Sequence, residues 1–330
     1  MITNVAIEIS DKCNLNCLHC YYSEKNRNSE MSYDNFILIL DRFKHLDKVV
    51  ITGGEPFTNS RFTDILKECI KRNNIQFTIT TNGTLFTPQI IKYFRESSNI
   101  HFQISMEGSN SDLNDVIRGK GTYEKVIASL RELAAIDCNR IKLRMTVNGL
   151  NYSDCETFYH FSKNLHIVPE YMFVSKVGNA IKNWDRLQIS DQQKLFVYSK
   201  IARLYRLDQL DMAAPTEVQE CSLCDSYTVT TEGNIYVCSY FPDCFIGNIL
   251  QQDEERIEDN YCNHEIFTRI SKWKNDVYQK LCVNCTIKDK CGQGCYGRYI
   301  CNNGKNPSRL DDGCCNFRKL RFIYNHLDHM

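Results

Sequence analysis

The sequence predicts an α/β protein in which parallel strands alternate with helices. Short segments rich in β-branched residues are separated by segments with helical spacing through the first 210 residues. Six strand-then-helix units in a row need crossover connections, so they imply a parallel sheet or an open barrel. Functional residues in such folds lie at the carboxyl ends of the strands. The candidate strands are Val5–Ile9, Val49–Thr52, Phe77–Thr81, Ile100–Ser105, Ile141–Val147 and Val168–Val174.

The segments between these strands carry the apolar periodicity of helices. Phe36, Leu40 and Phe43 recur at i, i+4 and i+7, a spacing that places them on one helical face. The same spacing recurs from Val126 through Leu130 to Leu133. These segments are therefore predicted to be the helical crossovers.

The chain changes character near residue 207. From there to residue 330 Cys, Gly, Asn and Asp are frequent and long apolar segments are few, so this region is expected to depend on metal for its order. We predict two domains, 1–210 and 211–330, with a boundary between 205 and 220. Within the second, one hairpin is predicted from 226–230 to 235–238, and a last helix from about 316 to 326.

The composition is that of an ordinary globular protein. Of 330 residues, 42% are hydrophobic and 24% are charged, and 40 basic residues balance 40 acidic ones. The chain therefore lacks the surplus of basic residues that would indicate a nucleic-acid binder. The N-terminus has no basic leader or long apolar stretch, and the chain has no run of 18 apolar residues, the minimum for a membrane span. We expect a cytoplasmic protein with neither nucleic acid nor membrane as a partner.

Cysteine is unusually frequent, with 18 residues, and it is unevenly distributed. Three cysteines lie within 13–20 and twelve between 221 and 315, whereas only Cys69, Cys138 and Cys155 fall between the two groups. In a reducing cytosol, clustered thiolates indicate metal binding rather than disulfides. The three isolated cysteines are interpreted as buried thiols.

The first group of cysteines directly follows the first predicted strand. Cys13, Cys17 and Cys20 have the spacing Cys-x3-Cys-x2-Cys. Three thiolates on one short loop can bind three irons of a cubane cluster, which leaves the fourth iron open to a small molecule with an amine and a carboxylate. Disulfides or a zinc site are the alternatives, but zinc usually takes four protein ligands. The pattern favours an iron–sulfur cluster.

This spacing resembles that of the radical SAM superfamily, whose members cleave S-adenosylmethionine (SAM) reductively and whose fold is a partial (β/α)6 TIM-type barrel. By the resemblance, His19 takes the aromatic-type position before the third cysteine, and Tyr22 matches a position that contacts adenine. The second strand ends in Gly53-Gly54-Glu55, which is similar to a family motif. Glycines let the backbone approach a ligand, and the carboxylate is expected to accept hydrogen bonds from the methionine ammonium.

Further matches to the family follow at the ends of later strands. The matching segments are Thr80-Thr81-Asn82-Gly83-Thr84, Ser105-Met106-Glu107-Gly108, Asp115-Val116-Ile117-Arg118-Gly119 and Gly178-Asn179-Ala180. Many relatives have Asp where Glu107 stands here. The resemblance makes Ser105 and Arg118 candidates for the SAM carboxylate, because a hydroxyl and a guanidinium suit that anion. A surface ion pair is the alternative interpretation of Arg118.

The second group of cysteines resembles the SPASM domain of the same superfamily, a small, Cys-rich and loop-dominated domain with two auxiliary 4Fe-4S clusters. Taken alone, the Cys-x2-Cys pairs would favour zinc. The implied ligands of the first cluster are Cys221, Cys238 and Cys295, with Cys224 as the fourth; those of the second are Cys282, Cys285, Cys291 and either Cys314 or Cys315. Cys224 is also a candidate hydrogen-atom donor. Seven cysteines are left over, and most of them are expected to be inert and buried, with one of them as an alternative hydrogen-atom donor: Cys69, Cys138, Cys155, Cys244, Cys262, Cys301 and the remaining one of the 314/315 pair.

The resemblance implies that one electron from an external donor of flavodoxin or ferredoxin type cleaves SAM to methionine and a 5′-deoxyadenosyl radical. SPASM relatives mostly modify peptides or proteins. The leading hypothesis is therefore maturation of a ribosomally made peptide (RiPP), with oxidative C–C or C–S crosslinking favoured over epimerisation. One alternative is a radical dehydrogenase for a small molecule of aminocyclitol or sugar type. Another is a non-catalytic iron–sulfur scaffold, which leaves the two glycines and Glu55 unexplained.

Two departures from relatives narrow these expectations. Only twelve residues precede Cys13, so no N-terminal winged-helix domain for peptide recognition is expected. The peptide would then dock on the barrel and SPASM region, or a separate protein would present it. Sulfatase-maturing relatives have an Asp directly after the cysteine that is Cys238 here. This chain has Ser239 at that position and Asp243 further along, which disfavours sulfatase maturation.

Overall fold

The computed structural model describes residues 2–22, 28–208, 227–238, 244–285 and 296. Within these residues a single sheet has the strand order β6-β5-β4-β3-β2-β1-β7-β8-β9. The strands are β1 (Asn4–Ser10), β2 (Lys48–Gly53), β3 (Gln76–Thr81), β4 (Ile100–Ser105), β5 (Ile141–Val147), β6 (Pro169–Phe173), β7 (Tyr227–Val229), β8 (Asn234–Tyr236) and β9 (Phe245–Asn248).

The first six strands form the parallel sheet that the sequence predicts. Each strand pairs in parallel with the next one along the chain, from β1 beside β2 to β5 beside β6. The predicted strands differ from the observed ones by at most one residue at either end. The prediction of an α/β fold of partial-barrel type is confirmed.

Helices connect these strands and cover one face of the sheet. The helices are α1 (Tyr33–Arg42), α2 (Phe62–Lys71), α3 (Pro88–Glu96), α4 (Ser111–Arg118), α5 (Thr122–Asp137), α6 (Cys155–Lys163), α7 (Asn179–Lys182), α8 (Trp184–Leu187), α9 (Asp191–Leu207), α10 (Glu254–Cys262) and α11 (Ile266–Leu281). The predicted apolar face of α1 is confirmed, because Phe36, Leu40 and the adjoining Phe43 are all buried. None of the helices in the described ranges is long and apolar enough to cross a membrane.

Apolar and polar side chains alternate along the parallel strands. In β3, Phe77 and Ile79 are fully buried, whereas Thr78 and Thr80 between them are only partly covered. Strands of a parallel sheet that is packed on both faces are usually apolar throughout. The alternation here therefore indicates that one face packs on helices and the other is a polar concave surface.

The region after residue 226 continues the same sheet. β7 pairs in parallel with β1, placing Val5 beside Tyr227, and β7 and β8 form an antiparallel hairpin with Val229 opposite Ile235. The predicted hairpin is thus confirmed.

The sequence analysis did not predict α10, whose apolar residues are few, or α11, in which Ile266, Ile270 and Trp273 recur at helical spacing. The predicted last helix lies outside the described residues, and the boundary between 205 and 220 falls largely outside them and stays a prediction.

The cysteine loop, residues 11–22, is held against the end of β2 by backbone contacts. The amide of Gly54 donates to the Ser10 carbonyl at 2.7 Å, and the amide of Glu55 donates to the Lys12 carbonyl at 2.7 Å. Gly53 has a φ of +134°, and a Cβ added there would lie 2.2 Å from the Ser10 oxygen. A residue other than glycine therefore cannot occupy position 53 without moving the first strand or the loop.

The other side of the cysteine loop is held by the segment that follows β6. The amide of Asn179 donates to the Cys20 carbonyl at 2.8 Å, and its side chain donates to the Cys17 carbonyl at 3.1 Å. A Cβ at Gly178, where φ is +55°, would lie 2.4 Å from the Cys20 oxygen. The first and sixth units of the barrel thus meet through this loop.

The close contact at Gly53 gives a test of this packing. Gly53→Ala is expected to lower the free energy of unfolding by about 3 kcal/mol or more, because unfavourable φ and a backbone clash add. Gly121 is the matched control: its φ is +77°, but a Cβ there has nothing within 4 Å. Gly121→Ala should therefore cost about 1 kcal/mol, the backbone strain alone. Chemical denaturation of anaerobically purified protein measures both values, and equal losses would contradict the packing described for Gly53.

Candidate active site

A cavity of about 400 Å³ opens at the carboxyl ends of the parallel strands. Its wall includes all three cysteines of the N-terminal triplet together with residues from the ends of β2 to β6. Of the residues predicted from the sequence, the following line it: Cys13, Cys17, Cys20, His19, Tyr22, Gly53, Gly54, Ser105 and Arg118. The structure therefore brings the predicted cluster loop and the predicted SAM contacts together, with the exception of Glu55.

The three thiols fit a positively charged metal group. Burial raises the pKa of Cys17 to about 11; Arg118 opposes this, and the neighbouring Cys20 and Cys13 add to it. Three thiolates at this place would repel one another unless a cation compensated them. Two N–H groups already point at Cys13 Sγ, the Leu15 amide at 3.5 Å and the Asn82 side chain at 4.0 Å. Such N–H groups stabilise ligating thiolates.

The three cysteines of the triplet line one cavity without forming a compact single-ion site. In the part of the chain that the structure describes, no three His, Cys, Asp or Glu side chains converge closely enough to bind one metal ion. Each thiolate of a cubane cluster binds a different iron, so its cysteines lie further apart than the ligands of one zinc ion. The donor set fits a cluster with three protein ligands.

The buried imidazole of His19 also fits a site that holds a bound cofactor. Its Nδ1 is buried and has no hydrogen-bond partner among the described residues, although buried ring nitrogens normally have one. Its other nitrogen, Nε2, lies 3.3 Å from Glu107 Oε1. His19 lies between Cys17 and Cys20 in the sequence and lines the same cavity. A bound cluster or SAM would supply a partner for its Nδ1 there.

Arg118 lies at the C-terminal end of α4 and forms a buried ion pair. Its Nη2 donates to Glu107 Oε1 at 2.9 Å, and only 7% of its surface is exposed. The alternative of a surface ion pair is therefore wrong. Burial works against the charge, but the carboxylate of Glu107 and the nearby Cys17 raise the pKa of Arg118 above its ordinary value. Arg118 thus stays charged beside the triplet.

Glu107 was not among the residues predicted to be functional, yet it lies behind the cavity wall in contact with two lining residues, Arg118 and His19. It is fully buried and accepts hydrogen bonds from Arg118 and, at 2.7 Å, from the amide of Thr146. Burial would raise the pKa of Glu107, but attraction to His19 and Arg118 holds it below its usual value. The sequence contained one indication of Glu107, the family motif at the end of β4. It did not indicate that His19, Arg118 and Thr146 are its partners.

Glu55 is the predicted SAM contact that does not line the cavity. The sequence predicts that its carboxylate binds the methionine ammonium, and in the structure its side chain is completely buried. It accepts hydrogen bonds from Thr81 Oγ1 and the Asn82 amide, both at 2.7 Å, and from the Phe57 amide at 3.3 Å. Burial raises the pKa of Glu55 to about 7 against these donors. Its carboxylate ties the end of β2 to the end of β3 instead of lining the cavity.

Tyr22 lines the cavity with its ring, while its hydroxyl points to two carboxylates. The hydroxyl lies 2.5 Å from Asp11 Oδ1 and 3.1 Å from Glu8 Oε2. Burial and these two acids raise the pKa of Tyr22 far above its usual value. The phenol is therefore neutral, and its hydrogen bonds fix the ring at the base of the cysteine loop.

Arg144 is a cavity residue that the sequence analysis missed. It faces the cavity from β5, next to Ser105 in the register of β4 and β5. Its Nη2 donates to Glu170 Oε2 at 2.7 Å, and Lys142 Nζ donates to the other oxygen of that carboxylate at 2.7 Å. The alternation along β5 could have indicated it, because Lys142, Arg144 and Thr146 share one face.

Three of the predicted auxiliary-cluster ligands lie in the described part of the chain. Cys282 is buried at the end of α11, and the Cys285 amide donates to its carbonyl at 3.0 Å. Cys238 follows β8 and is partly exposed. The other predicted ligands lie outside the described residues: Cys221, Cys224, Cys291, Cys295, Cys314 and Cys315.

Curated relatives match most of the chain. Mycofactocin maturase of Mycolicibacterium smegmatis is 25% identical over 305 residues, covering 87% of this chain and 76% of the relative. The AdoMet-dependent heme synthase of Methanosarcina barkeri is 24% identical over 331 residues, covering 88% and 93%. Both are similar across the barrel and beyond it.

Solved structures share the fold at low sequence identity. Native anSMEcpe with bound AdoMet and Cp18Cys peptide has a TM-score of 0.78 at 18% identity, covering 99% of this chain and 98% of that one. SuiB of Streptococcus suis bound to precursor peptide SuiA has a TM-score of 0.72 at 16% identity, covering 96% and 76%.

A family model matches the barrel itself. Residues 7–162 match the radical SAM superfamily, and this stretch includes the cysteine triplet, the glycines at the end of β2 and the Glu107–Arg118 pair. The sequence resemblance, the partial-barrel fold and the thiol-lined cavity agree with that match. Residues 7–162 are thus identified as a radical SAM domain, and members of that superfamily use SAM and a 4Fe-4S cluster.

Proposed function

We propose that the chain is a peptide maturase of RiPP type that binds SAM and a 4Fe-4S cluster in the cavity at the top of the barrel. The observation that carries this proposal is the meeting of the three cysteines with the Gly53-Gly54 backbone and Arg118 in one cavity. When bound, the cluster and SAM supply a 5′-deoxyadenosyl radical that removes a hydrogen atom from the substrate.

The residues of the chain hold and orient these groups. Cys13, Cys17 and Cys20 bind three irons. Arg118 and Ser105 supply a guanidinium and a hydroxyl for the SAM carboxylate, since both line the same cavity as the triplet and both groups suit that anion. The ring of Tyr22, fixed through its hydroxyl, and the imidazole of His19 are the contacts proposed for the nucleoside end of SAM.

A peptide substrate is supported by the relatives and by the shape of the cavity. The solved neighbours anSMEcpe and SuiB hold peptides, and they share this fold. The cavity wall that β6 and its following segment form is apolar, with Met172, Val174 and Val177. Such a wall suits an aliphatic or aromatic side chain, and binding cavities combine apolar walls with a few polar groups.

The reaction proposed for that side chain is oxidative crosslinking, with epimerisation as the next candidate. A flavodoxin or ferredoxin is the proposed electron donor, and a separate protein is a candidate for presenting the peptide. Sulfatase maturation remains disfavoured, because Ser239 follows Cys238.

A small-molecule substrate is the second candidate, and the similarity to the heme synthase of Methanosarcina barkeri favours it. The cavity also carries polar groups for such a ligand, among them Gln103, Arg144 and Thr146. Identification of the substrate separates the two candidates.

We also propose that residues 211–330 are a SPASM domain with two auxiliary 4Fe-4S clusters. The clustering of cysteines supports this, as does the position of Cys282 and Cys285 at the end of α11. Cys224 is the proposed fourth ligand of the first cluster or, if one iron stays open, a hydrogen-atom donor. The auxiliary clusters would accept the substrate electron in an oxidation.

Removal of any triplet thiol tests the proposed SAM chemistry. Cys13→Ala, Cys17→Ala and Cys20→Ala should each abolish 5′-deoxyadenosine formation under reducing conditions, measured by chromatography after anaerobic incubation with SAM. The matched control is Cys69→Ala. Cys69 is fully buried in α2, away from the cavity, so this variant should still form 5′-deoxyadenosine. Product formation by the triplet variants would contradict the assignment of these ligands.

Mass spectrometry of candidate peptides tests the reaction type. After anaerobic incubation with SAM and a reductant in deuterated water, oxidative crosslinking predicts a peptide that has lost two hydrogens. Epimerisation predicts the gain of one solvent deuteron without oxidation. Formation of 5′-deoxyadenosine with a small molecule as the only altered compound would reject the peptide and favour the second candidate.

Iron content tests the auxiliary clusters. The anaerobically reconstituted chain should hold roughly twelve irons, four for each of three clusters. Cys282→Ala should lower this count by about four and leave the SAM-dependent electron paramagnetic resonance (EPR) signal of the triplet cluster intact. A wild-type chain with only about four irons would show that the second group of cysteines binds no iron–sulfur cluster.

A further inference from the structure

The carboxylate of Glu107 joins the cysteine loop to the cavity wall. One oxygen, Oε1, lies 2.9 Å from Arg118 Nη2 and 3.3 Å from His19 Nε2. The other oxygen accepts the Thr146 amide of β5 at 2.7 Å. A single buried carboxylate therefore contacts the loop between Cys17 and Cys20, the end of α4 and the end of β5.

Glu107 is itself fixed from both sides. Its amide donates to Asn114 Oδ1 at 3.0 Å, and its carbonyl accepts from Asn151 Nδ2 at 3.0 Å. Both asparagines are fully buried. Because the backbone cannot shift freely, the side chain can hold its partners in a defined place.

The hydrogen bonds to Glu107 use two of the three guanidinium nitrogens of Arg118 and leave Nη1 for a ligand. Nε and Nη2 both donate to Glu107, at 3.2 Å and 2.9 Å, whereas Nη1 has no hydrogen bond among the described residues. Arg118 also lines the cavity beside the triplet. Glu107 thus sets the direction in which the remaining N–H groups of Arg118 point.

We propose that Glu107 is a positioning residue that couples the seating of the cysteine loop to the binding of the SAM carboxylate. Its Oε1 contacts both His19 on the cysteine loop and Arg118 in the cavity wall. A displacement of either partner therefore shifts the carboxylate and, through it, the other partner. This inference rests on the proposed binding of SAM by Arg118, but it does not depend on the identity of the substrate. Coupling of this kind is reciprocal: a change that stabilises the bound position of the cysteine loop raises the affinity for SAM, and SAM binding stabilises the loop.

A second carboxylate supplies a matched control. Glu170 Oε2 lies 2.7 Å and 3.2 Å from two nitrogens of Arg144, another arginine of the same cavity. Its other oxygen binds Lys142 rather than the cysteine loop. Glu170→Gln therefore removes the same kind of charge from an arginine partner without touching the triplet.

The test measures SAM affinity and iron release in the iron-loaded full chain. In Glu107→Gln the dissociation constant for SAM should rise about tenfold or more, since charged hydrogen bonds to Arg118 are lost. Iron release to a chelator without SAM should be several times faster. Glu107→Asp keeps the charge and should lie between the wild type and Glu107→Gln in both measurements. Glu170→Gln should change either value less than about twofold, as expected for a site with no link to the loop.

The outcomes separate positioning from general stabilisation. A Glu107→Gln chain that melts at a lower temperature but binds SAM and retains iron like the wild type would overturn the inference. If Glu107→Gln does not fold, Glu107→Asp decides: weaker SAM binding with faster iron release supports the coupling, and wild-type values reject it. A wild-type chain that binds no SAM would contradict the proposed function and this inference together, whereas failure to modify a peptide would contradict the former alone.

Discussion

The close approach of backbone segments around the cysteine loop is the constraint on which the site depends. The ends of β1 and β2 approach so closely that no Cβ fits at Gly53, and the segment after β6 approaches the other side of the loop equally closely at Gly178. Amide-to-carbonyl hydrogen bonds complete both contacts. The loop is therefore fixed by main chain, which cannot change rotamer, and the directions of its three thiols follow from the sheet. A rigid support of this kind favours precise placement of metal ligands.

Charge compensation is the second feature that shapes the cavity. Burial disfavours the charged forms of Cys17, Arg118 and Glu107 alike, and each becomes tolerable only beside a group of opposite charge. Arg118 offsets Glu107 and also lies near the triplet, as its influence on the pKa of Cys17 shows. The single charge of Arg118 cannot compensate three thiolates and Glu107 at once. The proposed cluster would supply the remaining positive charge.

The sequence predicted the strands well because a period of two is a local property. Strands such as β3 and β5 alternate between buried apolar and less buried polar residues, and the glycines at the end of β2 identify the end of a strand. The sequence analysis explained Gly53 and Gly54 only by the approach of a ligand, and both do line the cavity. The structure adds that a Cβ at either position would clash with the carbonyl oxygen of Ser10 or Lys12. Contacts between distant segments of this kind leave no local pattern.

The same limit explains why the partners of Glu55 and Glu107 were not predicted. The partners of Glu55 are Thr81 and Asn82 on the next strand, and those of Glu107 lie on the cysteine loop and on β5, so neither role could be inferred from neighbouring residues. The likeness to the family placed Arg118 correctly at the cavity, whereas its buried partner emerged only from the fold. The C-terminal helices were missed for another reason, since α10 contributes few apolar residues to its buried face.

The central claim is that the triplet holds a cluster with one iron open to SAM. Electron–nuclear double resonance of the reduced, iron-loaded chain with SAM carrying ¹⁵N at its amino group tests it most directly. We expect a hyperfine coupling between that nitrogen and the cluster, because the ammonium group would bind the open iron as an amine. A reduced cluster whose spectrum is unchanged by SAM and shows no nitrogen coupling would contradict the account.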